Sequence, residues 1–187
     1  MSLIKVYLIL IVIICCNGTY LYPKQNNIDN KIQDISVIKS LFEKGLKHYN
    51  SSPDSSLFYT HKAFGLAKKY NNYEYIAKCE NLLAVVYTNT GNYNKAIEHY
   101  IHSIKIFEKL NNVNGLIMTF TNLGTLNRLQ KRYDKAFGYY LKAYNISKKF
   151  TNKIDKNLIA QIYANVGIVF DDLKKYDKAI KFYNKAL

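Results

Sequence analysis

Apolar residues recur at every third or fourth position through most of the chain, which predicts amphipathic helices. The first such stripe begins at Ile35, and its further members are Ile38, Leu41, Phe42, Gly45 and Leu46. Polar turns interrupt the stripes, for example at 50–55 and 71–72. The pattern therefore predicts an all-α protein.

The stripes belong to a sequence repeat with a period of 40 and then 43 residues. Each unit has a small residue, a second small residue twelve positions later, and an aromatic residue four positions after that. The three sets of markers are Ala84, Ala96 and Tyr100; Gly124, Ala136 and Tyr140; and Gly167, Ala179 and Tyr183. Helices joined by a short turn approach closely only where small residues face each other, so each unit predicts an antiparallel helix pair. Self-similarity at this period is typical of a helical solenoid.

The order Leu-Gly, tyrosine, alanine, aromatic residue, alanine resembles the tetratricopeptide repeat. The match is good over 74–187 and poor over 35–73, where Glu43 and Lys44 occupy the expected Leu-Gly position. The resemblance implies a right-handed αα superhelix of about four helix pairs, of which the last is incomplete. We expect one repeat domain over 35–187, with its pairs at about 35–71, 74–111, 115–150 and 155–187. The period exceeds the family's usual 34 residues, which predicts a longer second helix and exit loop.

The N-terminus has the pattern of a secretory signal peptide. Lys5 precedes an apolar run over residues 6–16, and the small residue Gly18 follows. The run is shorter than the ~20 residues of a membrane-spanning helix. We therefore expect a signal peptide over 1–18, a polar linker over 19–34, and an exported protein in the periplasm or at the cell envelope.

A lipoprotein signal is the alternative interpretation of this segment. Cys16 or Cys15 would then become the lipidated first residue and attach the chain to a membrane. Ile13 and Ile14 are not the small residues that such signals usually carry before the cysteine. Soluble export and lipid anchoring both stay open at this point.

The chain is strongly basic, with 27 Lys and Arg against 13 Asp and Glu, a formal net charge of +14. Only Arg128 and Arg132 are arginines, and the lysines are scattered over all repeats. A nucleic-acid site needs a basic face concentrated on one element. The distribution therefore indicates solvated outer helix faces, and it argues against nucleic acid as a partner.

No residue pattern predicts catalysis, a cofactor or a metal site. The four histidines, His48, His61, His99 and His102, have no glutamate partner in a zinc-binding motif and are expected at the surface. The glycines form no phosphate-binding loop. Cys79 follows apolar neighbours on a helical face, which predicts a buried, unpaired thiol. We expect a protein that is not an enzyme.

In a solenoid of this type the first helices of successive pairs line a concave groove. The face predicted to point into the groove carries Lys78, Asn81 and Arg128. By resemblance to family members that bind extended peptides, Asn122 and Asn165 are candidates for hydrogen bonds to a peptide backbone. An equally open alternative is that these two asparagines tie neighbouring repeats together.

Two functions are compatible with these features. The first is an exported, non-catalytic repeat protein that binds a protein or peptide in its groove. The second is the N-terminal extracytoplasmic sensor portion of a larger signal-transduction regulator, with a histidine kinase or DNA-binding output. This second function is implied by resemblance to exported tetratricopeptide-repeat sensor regions of bacterial regulators, and the unfinished fourth pair favours it.

Overall fold

The computed structural model describes residues 34–150, 154 and 156–187. All regular structure in these residues is α-helical, which confirms the predicted all-α fold. The helices are α1 (34–48), α2 (Pro53–Lys69), α3 (Tyr73–Asn89), α4 (Tyr93–Lys109), α5 (Val113–Leu129), α6 (Tyr133–Lys149), α7 (Lys156–Asp172) and α8 (Tyr176–Ala186). The predicted signal peptide, the Cys16 lipidation site and the linker up to residue 33 lie outside the described residues. None of the described helices is long and apolar enough to cross a membrane.

The helix lengths explain the sequence period. Each helix from α2 to α7 has 17 residues. Turns of three residues separate consecutive helices from α2 to α6, so a helix pair repeats every 40 residues. A longer connection between α6 and α7 adds the three residues of the 43-residue spacing. First and second helices are equal in length, so the prediction of a longer second helix is wrong.

One turn type joins helices both within pairs and between pairs. A left-handed residue follows each of five helices, with φ between 51° and 77°: Asn71, Gly91, Asn111, Lys131 and Lys174. The next residue donates its N–H to the carbonyl oxygen five positions earlier, as Asn92 does to Tyr87 at 2.8 Å. This Schellman arrangement satisfies carbonyl groups at the helix end. The identical turns make consecutive helices antiparallel with a constant spacing.

Each of the second helices α2, α4 and α6 buries one narrow stripe of residues, and the stripe occupies equivalent repeat positions in all three. The buried residues are Ser56, Thr60, Ala63 and Ala67 in α2; Ala96, Tyr100, Ser103 and Phe107 in α4; and Ala136, Tyr140, Ala143 and Ser147 in α6. The first helices bury more of their surface, because α3 packs against α2, α4 and α5. The core therefore runs along the first helices.

The glycine markers lie under the tyrosine rings. A Cβ atom on Gly124 would lie 2.6 Å from Cδ1 of Tyr140, and one on Gly167 would lie 2.5 Å from Cε1 of Tyr183. The ring therefore packs onto the glycine itself. The sequence pattern predicts instead a close crossing between the two small residues, with the ring beside it.

The first helix pair, α1 and α2, has an equivalent contact at a glycine. This glycine lies one position after the one that the repeat predicts. The turn after α1 has no left-handed residue, and Ser52 N bonds to His48 O at 2.9 Å. Gly45 consequently takes the marker position, where an added Cβ would clash with Thr60, and its carbonyl oxygen accepts a 2.8 Å bond from Ser56 Oγ. The Glu43-Lys44 sequence at the expected position does not mean that the contact is missing.

Candidate functional site

The stack of helices has an inner and an outer side. Consecutive first helices contact each other, α3 with α5 and α5 with α7, whereas no two of the described second helices pack closely together. When one set of helices packs closely and the other set lies apart, the array curves so that the closely packed set is on the concave side. The first helices therefore form the inner, concave surface.

Lys78 lies beside a recess on this surface. Its Nζ atom is 2.6 Å from Oε1 of Glu74, one turn earlier on α3. The recess has a volume of about 320 Å³, and its lining includes Glu74, Lys78, Asn114, Met118 and Leu158. It combines an ion pair with apolar walls, which suits a single amphipathic side chain of a partner.

Asn81 and Asn122 are brought together from neighbouring repeats. Nδ2 of Asn122 donates to Oδ1 of Asn81 at 3.3 Å, which links α5 to α3. Asn81 is buried and Asn122 is half-buried. This bond ties the two repeats together, and it does not use Oδ1 of Asn122 or the Nδ2 hydrogens of Asn81.

Asn165 occupies the position on α7 that Asn122 occupies on α5. It is half-buried and makes no hydrogen bond to the other described residues. Its whole amide group is therefore available, in contrast to the paired Asn122.

Arg128 joins α5 to α7. Its Nη1 atom is 2.9 Å from Oδ2 of Asp172, and the two side chains are 21% and 32% exposed. Arg128 also lies beside Tyr140, whose pKa is raised by burial and whose hydroxyl lies 3.2 Å from Thr125 Oγ1. The Asp172 carboxylate neutralises this arginine, so the structure places it as a tie between repeats.

A buried acidic group on the outer side was not found from the sequence. Glu80 on α3 has a side chain that is only 9% exposed, and its Oε2 atom lies 2.6 Å from Nδ1 of His99 on α4. Oε1 lies 3.7 Å from Nδ1 of His102. The ring of Tyr87 stacks on His99 with centroids 5.4 Å apart. The prediction of a surface histidine is therefore wrong for His99.

The partner of His99 is 19 residues away on a different helix, so no short motif could indicate the pair. In the described part of the chain, no three His, Cys, Asp or Glu residues are arranged to hold a metal ion. Cys79 is completely buried, as predicted, and burial raises the pKa of its thiol to about 12. A thiol in that environment is unreactive at neutral pH.

Comparison with known proteins identifies the repeat. Two family models, both described as tetratricopeptide repeat, match residues 75–149 and 160–187, together more than half of the chain. No curated protein sequence matches it significantly.

Two solved structures share the fold. One is BtubC (BKLC) from P. vanneervenii, 19% identical with a TM-score of 0.60, aligned over 72% of this chain and 55% of that protein. The other is a Rap protein complexed with competence and sporulation factor, 20% identical with a TM-score of 0.73, aligned over 91% of this chain and 51% of that protein. The chain thus spans about half the length of each.

Proposed function

Because the chain belongs to the tetratricopeptide-repeat family, we propose that it is a non-catalytic protein that binds a protein or peptide on its concave surface. The observation that carries this proposal is the set of amide side chains on α3, α5 and α7. Asn81 and Asn122 keep amide donors and an acceptor that their mutual bond does not use, and Asn165 has a whole amide group without a hydrogen bond to the described residues. These are the groups that a peptide backbone can pair with.

The bond between Asn81 and Asn122 favours binding because it fixes both side chains before a ligand arrives. Ordering a side chain at an interface typically costs about 0.5–1.5 kcal/mol, and a pre-ordered pair avoids much of this cost. The nearby recess of about 320 Å³ would take one side chain of the bound segment, with Met118 and Leu158 contacting its apolar part.

The structural likeness supports the same class of function. The Rap protein with this fold is a complex with competence and sporulation factor. We therefore propose that the concave surface of this chain binds a polypeptide ligand.

A random-peptide library displayed on phage tests the proposal. Peptides selected on the wild-type chain should bind Asn165→Ala about 2- to 13-fold more weakly, since a neutral hydrogen bond contributes about 0.5–1.5 kcal/mol. Asn145→Ala is the matched control, because Asn145 is exposed on α6, a second helix. Equal loss in both variants, or no loss in Asn165→Ala, would contradict a role for the concave asparagines.

We propose further that the chain works outside the cytoplasm, in the periplasm or at the cell envelope. The support is the signal-peptide pattern of residues 1–18. The burial of Cys79 is consistent with export, because none of the described residues would expose a reactive thiol in an oxidising compartment.

Mass spectrometry of the native N-terminus tests export. A chain beginning after residues 16–18 is expected, and a lipid mass on Cys16 would identify the anchored form. An intact Met1 on a cytosolic protein would contradict export.

A second candidate function is the extracytoplasmic sensor portion of a larger signal-transduction regulator. It is supported by the signal-peptide pattern combined with the likeness to a factor-binding Rap protein. An immunoblot of the native protein distinguishes the two functions. A membrane-bound species much larger than 21.7 kDa would support the sensor, and a soluble species of that size or smaller would contradict it.

A further inference from the structure

The outer side of the array contains a cleft that the proposed concave site does not use. Since the second helices do not pack together, α2 and α4 separate over α3 and leave a space of about 730 Å³. Its floor includes the buried Ile76 and the half-buried Ile106, and its exposed rim includes Leu110, Lys68, Lys105 and Lys109. We call this space the first outer cleft.

The chemistry of the first outer cleft is only partly repeated at the next pair. The residues 40 positions after Lys68, Lys105 and Lys109 are Glu108, Asn145 and Lys149, so only one of the three rim lysines recurs.

The floor also differs between the two pairs. The counterparts of Glu80 and His99 are Phe120 and Tyr139, whose rings stack with centroids 6.4 Å apart and lie under the Lys142 ammonium. Aromatic rings occupy the centre of the later cleft, whereas the smaller Glu80–His99 pair occupies that position in the first.

The acidic residue in the first outer cleft does not neutralise the rim. Oε2 of Glu80 is engaged by His99 at 2.6 Å, with His102 next to Oε1. The three rim lysines are exposed, and none of them forms an ion pair with a described residue. The cleft therefore presents three lysine ammonium groups against the single Glu80 carboxylate, which gives it a net positive charge around its apolar residues.

We infer that the first outer cleft binds an acidic peptide segment that carries a large apolar side chain. The apolar side chain occupies the floor, and flanking carboxylates pair with Lys68, Lys105 and Lys109. Nucleic acid fits less well because its phosphate backbone offers no apolar group for the floor. A flat anionic membrane fits less well because the apolar residues lie within a recess. This interaction is independent of the concave groove.

Four fluorescein-labelled heptapeptides test the inference by fluorescence anisotropy on the full chain. The first is Gly-Asp-Glu-Leu-Glu-Asp-Gly. The other three replace Leu by Ser, replace all four acids by their amides, or do both. The acidic leucine peptide should bind about tenfold more tightly than each of the others, and its affinity should fall with added salt because the ion pairs are exposed.

Two double variants localise the site. Lys68→Glu with Lys105→Glu should weaken binding of the acidic leucine peptide about tenfold or more. Lys135→Glu with Lys148→Glu is the matched control, since both lysines are exposed on α6 and the charge change is identical. Lys148 is the repeat counterpart of Lys68, 80 residues later. The control should bind the peptide like the wild type.

Three results would overturn the inference. The first is no binding of the acidic leucine peptide at millimolar concentration. The second is equal weakening in both double variants, which would indicate general charge attraction. The third is tighter binding of a DNA duplex or phosphatidylserine vesicles through Lys68 and Lys105, which would assign the lysines to a different class of partner. Failure here leaves the concave-groove test unaffected, because that test changes Asn165.

Discussion

Tyr140 lies with its ring directly against the Cα atom of Gly124, 16 residues earlier in the chain. Gly124→Ala would place a Cβ atom 2.6 Å from Cδ1 of the ring, so the two helices would have to separate. We expect the free energy of unfolding to fall by about 1–3 kcal/mol, as for other overpacked cores. Gly124→Leu and Ala136→Leu should cost more. Chemical denaturation measures the change.

Gly138→Ala is the control for this prediction. Gly138 lies inside α6, and an added Cβ there would meet no atom within 4 Å. Alanine is the better helix former by about 0.8–1 kcal/mol, so this variant should be more stable than the wild type. If Gly124→Ala also gained stability, the proposed packing of Tyr140 would be incorrect.

The left-handed turn residues predict that two opposite substitutions change the stability of the chain in opposite directions. Gly91 has a φ of 77° and Lys131 a φ of 58° at equivalent positions in successive pairs. Gly91→Ala should destabilise the chain by about 1 kcal/mol, because a Cβ disfavours this conformation. Lys131→Gly should stabilise the chain by about 0.5 kcal/mol. This net gain is the relief of the left-handed strain minus the cost of a more flexible unfolded chain. Thermal melts showing both changes neutral would mean that these turns are not left-handed in solution.

The Glu80–His99 pair predicts that removing one partner costs more than replacing both. His99→Ala leaves a carboxylate that is only 9% exposed without its hydrogen bond, and should cost about 1–3 kcal/mol. Glu80→Phe with His99→Tyr installs the aromatic pair seen at Phe120 and Tyr139, and should be at least as stable as the wild type. A double variant less stable than His99→Ala alone would show that the site of Glu80 and His99 does not accommodate the aromatic pair.

His61 predicts a loss of stability in mild acid. Partial burial of the His61 ring, which is otherwise exposed, lowers its pKa below the ordinary value of 6.5, and the nearby His99 lowers it further, while Glu80 opposes the shift. As the pH falls below 6.5, the unfolded chain takes up this proton before the folded chain does, so stability present above pH 6.5 is lost toward the folded pKa. An NMR titration of His61 should give a midpoint below 6.5, and His61→Gln should flatten the pH dependence. A midpoint at or above 6.5 would contradict this environment.

The sequence predicts those parts of the fold that recur in register. Every helix pair needs a small residue at the same contact position, and the alanines there are buried: Ala96, Ala136 and Ala179. The equivalent contact of Gly45 was not predicted, because the different turn after α1 displaces the glycine by one position.

Contacts between repeats were less predictable than contacts within them. The bond from Asn122 to Asn81 spans 41 residues, and the ion pair from Arg128 to Asp172 spans 44. Each separation is one residue more than the local repeat period, which is 40 residues between α3 and α5 and 43 residues between α5 and α7. The repeat therefore places the partners near each other but does not show that they pair. These contacts depend on how far each helix is rotated about its axis, which only the packed structure determines.

Site-specific photo-crosslinking can show whether the concave surface binds a polypeptide segment. A benzophenone side chain would replace Met118, in the concave recess, or Asn145, on the exposed face of α6. Each variant would be irradiated with a peptide selected on the wild-type chain. We expect a crosslinked product at position 118 that an excess of unlabelled peptide suppresses, and none at position 145. A crosslink at position 145 with none at position 118 would show that the peptide does not bind on the concave surface.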